Sequence, residues 1–346
     1  MKLTTNIHIV ASNINTGGAL VLLTYLTASF EKVTRNCTLT KYVSFDADNT
    51  SSVKNIRIIG IINKLKILFY RIDNTLYFGN LPPLVKSTNS IVYIHNLNIM
   101  GGYTTVWKSG DLDIKTKLKY SFLITYIKMT IRNVQYVMCQ TLTGKKLLEK
   151  NFNNKNILVC PIYDDSYRPV QRAKEYDLCY VGLPSFHKNH QRLFQALDNI
   201  GKENVKITIA VTIPDFEQKL LNLINTINKN IEVVNFGMVP HRKVYEIYEK
   251  SRMLIFPSLI ESFGLPLIEA ARCNLPVITS DLGYVYDVII PTDTFDPHSI
   301  TSIEDCIKRN INKSDIQKAK LLVDNKIDMI FDILTKGCKK RADNEK

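Results

Sequence analysis

The chain has 346 residues, enough for about two domains that each bury their own core. Apolar residues make up 45% of it and charged residues 22%, which excludes disordered, collagenous and fibrous classes. There is no apolar run of transmembrane length, and the N-terminal Asn6-Ile7-His8-Ile9-Val10 alternates like a strand. Neither a membrane-spanning helix nor a secretory signal is therefore expected. Seven cysteines are scattered without CxxC spacing and read as reduced thiols, not as a disulfide framework or a zinc site.

Residues 1–170 hold 21 Lys and Arg against 9 Asp and Glu, a balance of +12. Residues 171–346 hold 24 against 23, a balance of +1. Nearly the whole excess sits in the first half, which points to an anionic partner there: nucleic acid, a membrane surface or a phosphorylated substrate.

In chain order, strands are predicted at Asn6–Val10, Lys41–Phe45, Arg57–Ile59, Ile91–Ile94, Tyr136–Met138 and Ile157–Val159. Helical stretches lie between them at Ala19–Glu31, Lys115–Arg132 and Lys145–Lys150. The rhythm repeats with strands at Leu178–Val181, Lys206–Ala210, Ile231–Phe236, Met253–Phe256 and Val277–Thr279. Helices there fit His190–Ile200, Phe216–Ile227, Lys243–Lys250 and Leu265–Arg272. Such alternation predicts α/β architecture: two doubly wound, Rossmann-like parallel-sheet domains facing a cleft. The expected domains are 1–165, 170–315 and a C-terminal helix and charged tail over 316–346 that packs back toward the first. Open sheets of this kind bind ligands at the carboxyl ends of their strands.

The most informative segment runs Phe256-Pro257-Ser258-Leu259-Ile260-Glu261-Ser262-Phe263-Gly264-Leu265-Pro266-Leu267-Ile268-Glu269-Ala270. A strand ends at Phe256, a loop carries Glu261, and Pro266 marks a first helical turn. The amides of Phe263, Gly264 and Leu265 are then helix N-terminal donors suited to a phosphate. Glu269, one turn in, is placed to accept from a pair of hydroxyls, and Glu261 to hold sugar hydroxyls. The same residues also suit a plain strand–loop–helix with Glu261 as a cap and Glu269 exposed.

This segment resembles the E-x7-E motif of retaining GT-B glycosyltransferases of family 4. The resemblance includes Pro257-Ser258 and the strand Leu275-Pro276-Val277-Ile278-Thr279-Ser280-Asp281, and it covers residues 178–288 closely and the first half at scattered points. It implies that Glu269 binds ribose, that Glu261 contacts the donor sugar, and that Ser262, Phe263, Gly264 and Leu265 hold sugar and diphosphate. Gly237 and Val239, in Asn235-Phe236-Gly237-Met238-Val239, fall in the loop that lies against the base. Lys188 matches the diphosphate-binding lysine, where it would neutralise charge building up on the leaving group. The family usually places an arginine directly after Gly182; this chain has Leu183, and Arg192 is a candidate replacement.

In the first half, Asn15-Thr16-Gly17-Gly18-Ala19 matches the family's glycine loop, with Gly17 and Gly18 permitting close phosphate approach; it is not a G-x-G-x-x-G fingerprint. His95 ends a strand where the family places a histidine on the donor sugar, and Asn96 beside it is a further candidate. Asp46-Ala47-Asp48 and Asp111-Leu112-Asp113 resemble metal-holding triplets of another fold but read as solvated loops, so no metal is expected. Lys64–Arg71 and Lys115–Arg132 interleave basic and aromatic residues. Each suits an anionic membrane surface, nucleic acid, or a helix half in the core.

The resemblance thus implies a retaining, metal-independent hexosyltransferase without cofactor. Its partners would be a nucleotide sugar donor and a saccharide, lipid-linked acceptor in bacterial surface polysaccharide (O-antigen, capsule or lipopolysaccharide) synthesis. The expected location is peripheral on the inner face of the cell membrane, without nucleic acid. A nucleotide-sugar 2-epimerase and a non-catalytic sugar-nucleotide or nucleic-acid binder are the competing readings.

Overall fold

Contacts divide the chain into a first unit, Met1–Asp165 with Asp324–Lys346, and a second, Ser166–Val323. The computed structural model describes residues 5–14, 17–33, 37–46, 50, 52–96, 99–100, 114–152 and 156–343.

In the first unit the strands are β1 (Thr5–Ala11), β2 (Cys37–Val43), β3 (Val53–Arg57), β4 (Thr75–Tyr77), β5 (Ile91–Tyr93), β6 (Tyr136–Cys139) and β7 (Ile157–Val159). They form one parallel sheet in the order β3-β2-β1-β4-β5-β6-β7. The central strands β4 and β5 are buried at every position. Helical cover on both faces removes any need for a polar side, which is why these strands are short runs without alternation. Strand β2 begins four residues before the predicted Lys41, since Thr38 and Thr40 both donate to the Asn6 side chain across the register with β1. The long helix Ile327–Asp343 belongs to this unit, where Phe331 meets Phe30 edge-on at 5.8 Å.

In the second unit the strands are β8 (Tyr176–Tyr180), β9 (Ile207–Val211), β10 (Ile231–Asn235), β11 (Ser251–Phe256), β12 (Val277–Ser280), β13 (Ile289–Ile290), β14 (Asp293–Phe295) and β15 (Lys320–Leu321). The parallel sheet runs β10-β9-β8-β11-β12-β14, with β13 and β15 as a separate antiparallel pair. Both parallel sheets therefore grow outward from their first strand, then jump back across it to the other side. Helix His190–Lys202 shows what holds such a layer: Leu193, Phe194, Leu197 and Ile200 line one face and are fully buried. Each contributes roughly 1.5–3 kcal/mol of transfer free energy.

The sequence reading lacks β4, β13, β14 and β15. Of these, β4 and β14 are short, carry polar or acidic residues in Thr75-Leu76-Tyr77 and Asp293-Thr294-Phe295 in place of the apolar runs that mark β5 and β7, and are held by their neighbours' register. It also starts one helix too early. Phe216 is 71% exposed in a turn, and the helix covers only Gln218–Asn225, its Leu220 and Leu221 amides returning to the Glu217 carbonyl.

The segment entering the second unit is clamped by Glu249, a carboxylate with a 1% exposed side chain. It accepts from the Val170 amide at 2.6 Å, the Tyr167 hydroxyl at 2.8 Å and the Arg172 guanidinium at 2.8 Å. Burial alone would raise its pKa, but these donors outweigh burial and hold it below the ordinary carboxylate value. The stabilisation is thus complete above the unfolded carboxylate pKa of about 4.3 and is lost as pH falls through the lower folded value. Glu249→Gln should lower stability by about 1–3 kcal/mol at neutral pH. In thermal unfolding measured against pH, the gap between wild type and variant should close below about pH 4. A gap that persists unchanged to low pH would contradict the clamp.

Candidate functional site

The reversal of strand order in the second unit lies between β8 and β11, and the loops leaving those strands carry the predicted lysine and glutamate. After β8 the chain passes Gly182 and makes a single 3-10 turn, Phe186–Lys188, closed by Asn189 in the left-handed region at φ 59°. The loops are stitched together by backbone groups. The Leu259 amide and the Ser258 hydroxyl both donate to the His187 carbonyl, at 2.7 and 3.1 Å. The Tyr180 hydroxyl donates to the Lys188 carbonyl at 2.6 Å, and the Asn189 amide group donates to the carbonyls of Pro257 and Pro297.

This stitching turns the Lys188 side chain back over Gly182, where a Cβ would stand 3.9 Å from its Cε and Nζ. The ammonium lies 5.3 Å from the centroid of the Phe256 ring and 2.5 Å from Glu261 Oε1. The same carboxylate oxygen accepts from Ser258 at 2.6 Å. Side-chain exposures of 15% and 13% make this a largely desolvated pair. In such a setting the charges interact strongly, and deleting one partner strands the other.

Helix Leu265–Arg272 starts where predicted, with Gly264 as N-cap at φ 74° and Pro266 in the first turn. Gly264 is required twice over: the left-handed backbone disfavours a side chain, and a Cβ would come within 3.0 Å of Leu267. Among the described residues, no acceptor takes the amides of Phe263, Gly264 or Leu265, so these helix N-terminal donors remain to meet an anion. Ser262 is half-buried in the same loop.

Glu269 is 7% exposed and both its oxygens are engaged, Oε1 by His241 Nε2 at 2.7 Å and Oε2 by the Tyr248 hydroxyl at 3.0 Å. Burial, then the Glu269 charge, pushes the Tyr248 hydroxyl pKa well above its ordinary value, so it stays a donor. Each carboxylate oxygen keeps a second lone pair for a hydroxyl. His241 and Tyr248 are absent from the sequence reading, and Ser258 enters it only as part of the motif, with no role. Ser258 was visible in the Pro-Ser pair before the acidic loop, whereas His241 and Tyr248 carry no motif and meet Glu269 only through the fold.

The other predicted residues of this unit fall around the same strand ends. Gly237, at φ 64°, follows β10, and its amide donates to Asn235 Oδ1, which also accepts from the Ile213 amide after β9. Val239 is half-buried beyond it. The Arg192 guanidinium is bound to Asn189 Oδ1 at 3.0 Å, so it braces the β8 loop, and Leu183 is 39% exposed.

The first unit has its own reversal, between β1 and β4. Gly17 and Gly18 open the helix Gly17–Val33 beside it and are exposed, with Gly17 at φ 68°; Asn15 and Thr16 lie outside the described residues. Asn13 donates to the Gly79 carbonyl at 2.6 Å, and a Cβ on Gly79 would sit 1.9 Å from Asn13 Oδ1, which ties the β1 and β4 loops. Asn80 accepts from the His95 amide at 2.7 Å, tying in the β5 loop. His95 Nε2 lies 3.0 Å from the Phe78 carbonyl, which can only accept, and 3.3 Å from the Asn80 side-chain amide nitrogen; the shorter contact favours a proton on Nε2, with Nδ1 as the acceptor. Burial, opposed by these backbone hydrogen bonds, lowers the His95 pKa to about 4. Asn96 accepts the amides of Ile99 and Met100 through its carbonyl.

Of the two acidic triplets only Asp46 is described, paired with Arg57 at 2.7 Å, while Ala47, Asp48 and Asp111–Asp113 lie outside the described residues. His95 should therefore remain neutral above about pH 5 in the Nε2-protonated form. Ring nitrogen shifts by NMR would show this; titration near pH 6.5 would contradict it.

Residues 164–326 match the model of the family described as glycosyl transferases group 1. The O-antigen chain mannosyltransferase RfbU of Salmonella typhimurium is 24% identical over 215 residues, 61% of this chain and 60% of that protein. The chain thus spans less than two thirds of that curated relative. The fold matches a sucrose-phosphate synthase from Thermosynechococcus elongatus at TM-score 0.67 and 16% identity, over 88% of this chain and 89% of that one. It also matches Anabaena HepE, in a structure with UDP-glucose, at TM-score 0.63 and 11% identity, over 89% and 90%. The chain has the GT-B fold of these structures, and the match to the glycosyl transferases group 1 model falls on its second unit.

Proposed function

We propose that the chain is a retaining, metal-independent hexosyltransferase that moves a sugar from a nucleotide diphosphate donor to a saccharide acceptor. The observation that carries this is the meeting of Lys188, Glu261 and the free amides of Phe263, Gly264 and Leu265 at one strand-order reversal. A diphosphate competes with Glu261 for the Lys188 ammonium and takes the helix amides, while Glu269 accepts the ribose hydroxyls on its remaining lone pairs. Relatives named as glycosyltransferases of O-antigen synthesis support a role in bacterial surface polysaccharide, and a neighbour holding UDP-glucose supports the donor class.

In the proposed reaction the bond between the anomeric carbon and the phosphate oxygen breaks, and the acceptor oxygen bonds on the same face. The acceptor hydroxyl proton passes to the departing phosphate oxygen, so no protein base is needed. Lys188 and the helix amides stabilise the charge growing on the leaving group, which is the role a metal plays elsewhere. Glu261, released from Lys188, holds sugar hydroxyls beside the developing positive charge at the anomeric carbon. The first unit takes the acceptor, and His95 Nδ1 accepts a sugar hydroxyl. A lipid-linked acceptor fits the basic first half and places the protein peripherally on the inner face of the cell membrane.

The test is NMR detection of binding and slow hydrolysis across UDP-, GDP-, ADP- and dTDP-sugars, a mannosyl donor among them, with chelator present. One donor should bind and release its sugar with anomeric configuration kept. Glu269→Ala should abolish donor binding. Lys188→Met should cut turnover by about 10²–10³-fold, the cost of removing one charge stabiliser from a transition state. Binding of no nucleotide sugar would overturn the reading. Loss of turnover in chelator, restored by a divalent ion, would overturn metal independence.

A further inference from the structure

Helix Ile114–Thr130 is apolar on two sides. Ile124, Ile127 and Thr130 are buried, and the two isoleucines join the core that also takes Ile67 and Leu68 from the segment before β4. On the opposite side Ile114, Leu118, Phe122 and Met129 are 75%, 66%, 71% and 68% exposed. Helical spacing puts these four on one stripe, bordered by Lys115 and Lys119 along one flank and by Lys117 and Lys128 along the other.

The neighbouring segment behaves the same way. Ile67 and Leu68 point into the shared core, while Ile62, Leu65, Phe69 and Tyr70 around them are exposed beside Lys64 and Lys66. Among the described residues of the first unit, every exposed large apolar residue apart from Leu84 and Leu142 belongs to one of these two stretches or to Ile59 just before them. Neither stretch, 59–71 nor 114–132, contains an Asp or Glu. Scattered apolar residues need no explanation, but a concentrated patch of large ones marks a docking surface. Nucleic acid would match the lysines and leave the aliphatic stripe facing a charged backbone. A bilayer surface matches both, with the apolar stripe entering the acyl boundary and the lysines meeting anionic headgroups.

We propose that the outer stripe of helix Ile114–Thr130, with the exposed Ile62–Tyr70 segment that shares its core, docks the first unit on an anionic lipid bilayer. This gives a place to the membrane association suggested above, yet it rests on the surface of the first unit alone. The helix lies in the interface plane, since none of the described helices is long and apolar enough to cross a membrane.

The experiment is co-sedimentation of the full chain with vesicles of phosphatidylcholine alone or mixed with phosphatidylglycerol. Wild type should bind the mixed vesicles at least tenfold more tightly, and added salt should weaken that binding. Leu118→Asp with Phe122→Asp should reduce binding at least tenfold while thermal unfolding and nucleotide-sugar binding stay as in wild type. Lys115→Gln with Lys119→Gln leaves the stripe intact and should cost about tenfold or more, at roughly fivefold per lysine near a charged surface. Absence of wild-type binding to anionic vesicles would overturn the proposal, as would variants that bind like wild type. So would a self-associating or RNA-binding chain that ignores vesicles and loses that association in the same variants. Vesicle binding without nucleotide-sugar binding would sustain this surface and sink the donor reading.

Discussion

A parallel sheet whose strands are laid down first to one side and then to the other must leave a gap where the direction changes. Right-handed crossovers send the connections on either side of that gap to opposite faces, so the loops above the two central strands diverge. In the second unit those strands are β8 and β11, and every group assigned to the diphosphate comes from the loops above them. The same constraint operates in the first unit at β1 and β4, where Asn13, Gly79, Asn80 and His95 converge. Chemistry in this protein is located by topology before any side chain is chosen.

Within the second reversal the decisive electrostatic feature is a carboxylate that keeps the essential ammonium company. Lys188 left alone under the Phe256 ring would be a desolvated charge, and Glu261 satisfies it. Ser258 shares the same carboxylate oxygen and so fixes where Glu261 stands. Under the proposed function, an arriving diphosphate would carry more charge than the carboxylate and offer it to both the lysine and the helix amides. That exchange would keep the lysine paired throughout and release Glu261 to the sugar as the donor is seated.

Much of this was legible in the amino-acid order, and the reason differs by element. Helix Leu265–Arg272 was predicted to the residue because Gly264 and Pro266 announce its start locally. Lys188, Glu261 and Glu269 were singled out by the resemblance to the E-x7-E family, since the strand–loop–helix pattern alone suited a capping Glu261 and an exposed Glu269 equally well. β4 and β14 were not, since Thr75-Leu76-Tyr77 and Asp293-Thr294-Phe295 lack the apolar run that marks the equally short β5 and β7. Nor could His241 and Tyr248 be assigned to Glu269, because they approach it from a helix 20 to 30 residues upstream and only the packed unit brings them together. The plain strand–loop–helix reading left Glu269 exposed; the structure buries it and orients it by two donors. The lysines of helix Ile114–Thr130 suited core, nucleic acid or membrane from the sequence, and exposure of the intervening apolar residues is the observation behind the membrane surface proposed above.

The central claim is that the second unit's reversal holds a nucleoside diphosphate on Lys188. Its most direct test is a structure of the intact chain with the diphosphate of the donor selected in solution. The account predicts phosphate oxygens within hydrogen-bond distance of Lys188 Nζ and of the Phe263–Leu265 amides, the ribose on Glu269, and the Lys188–Glu261 pair parted. A nucleotide bound elsewhere, or bound with that pair intact, would contradict it.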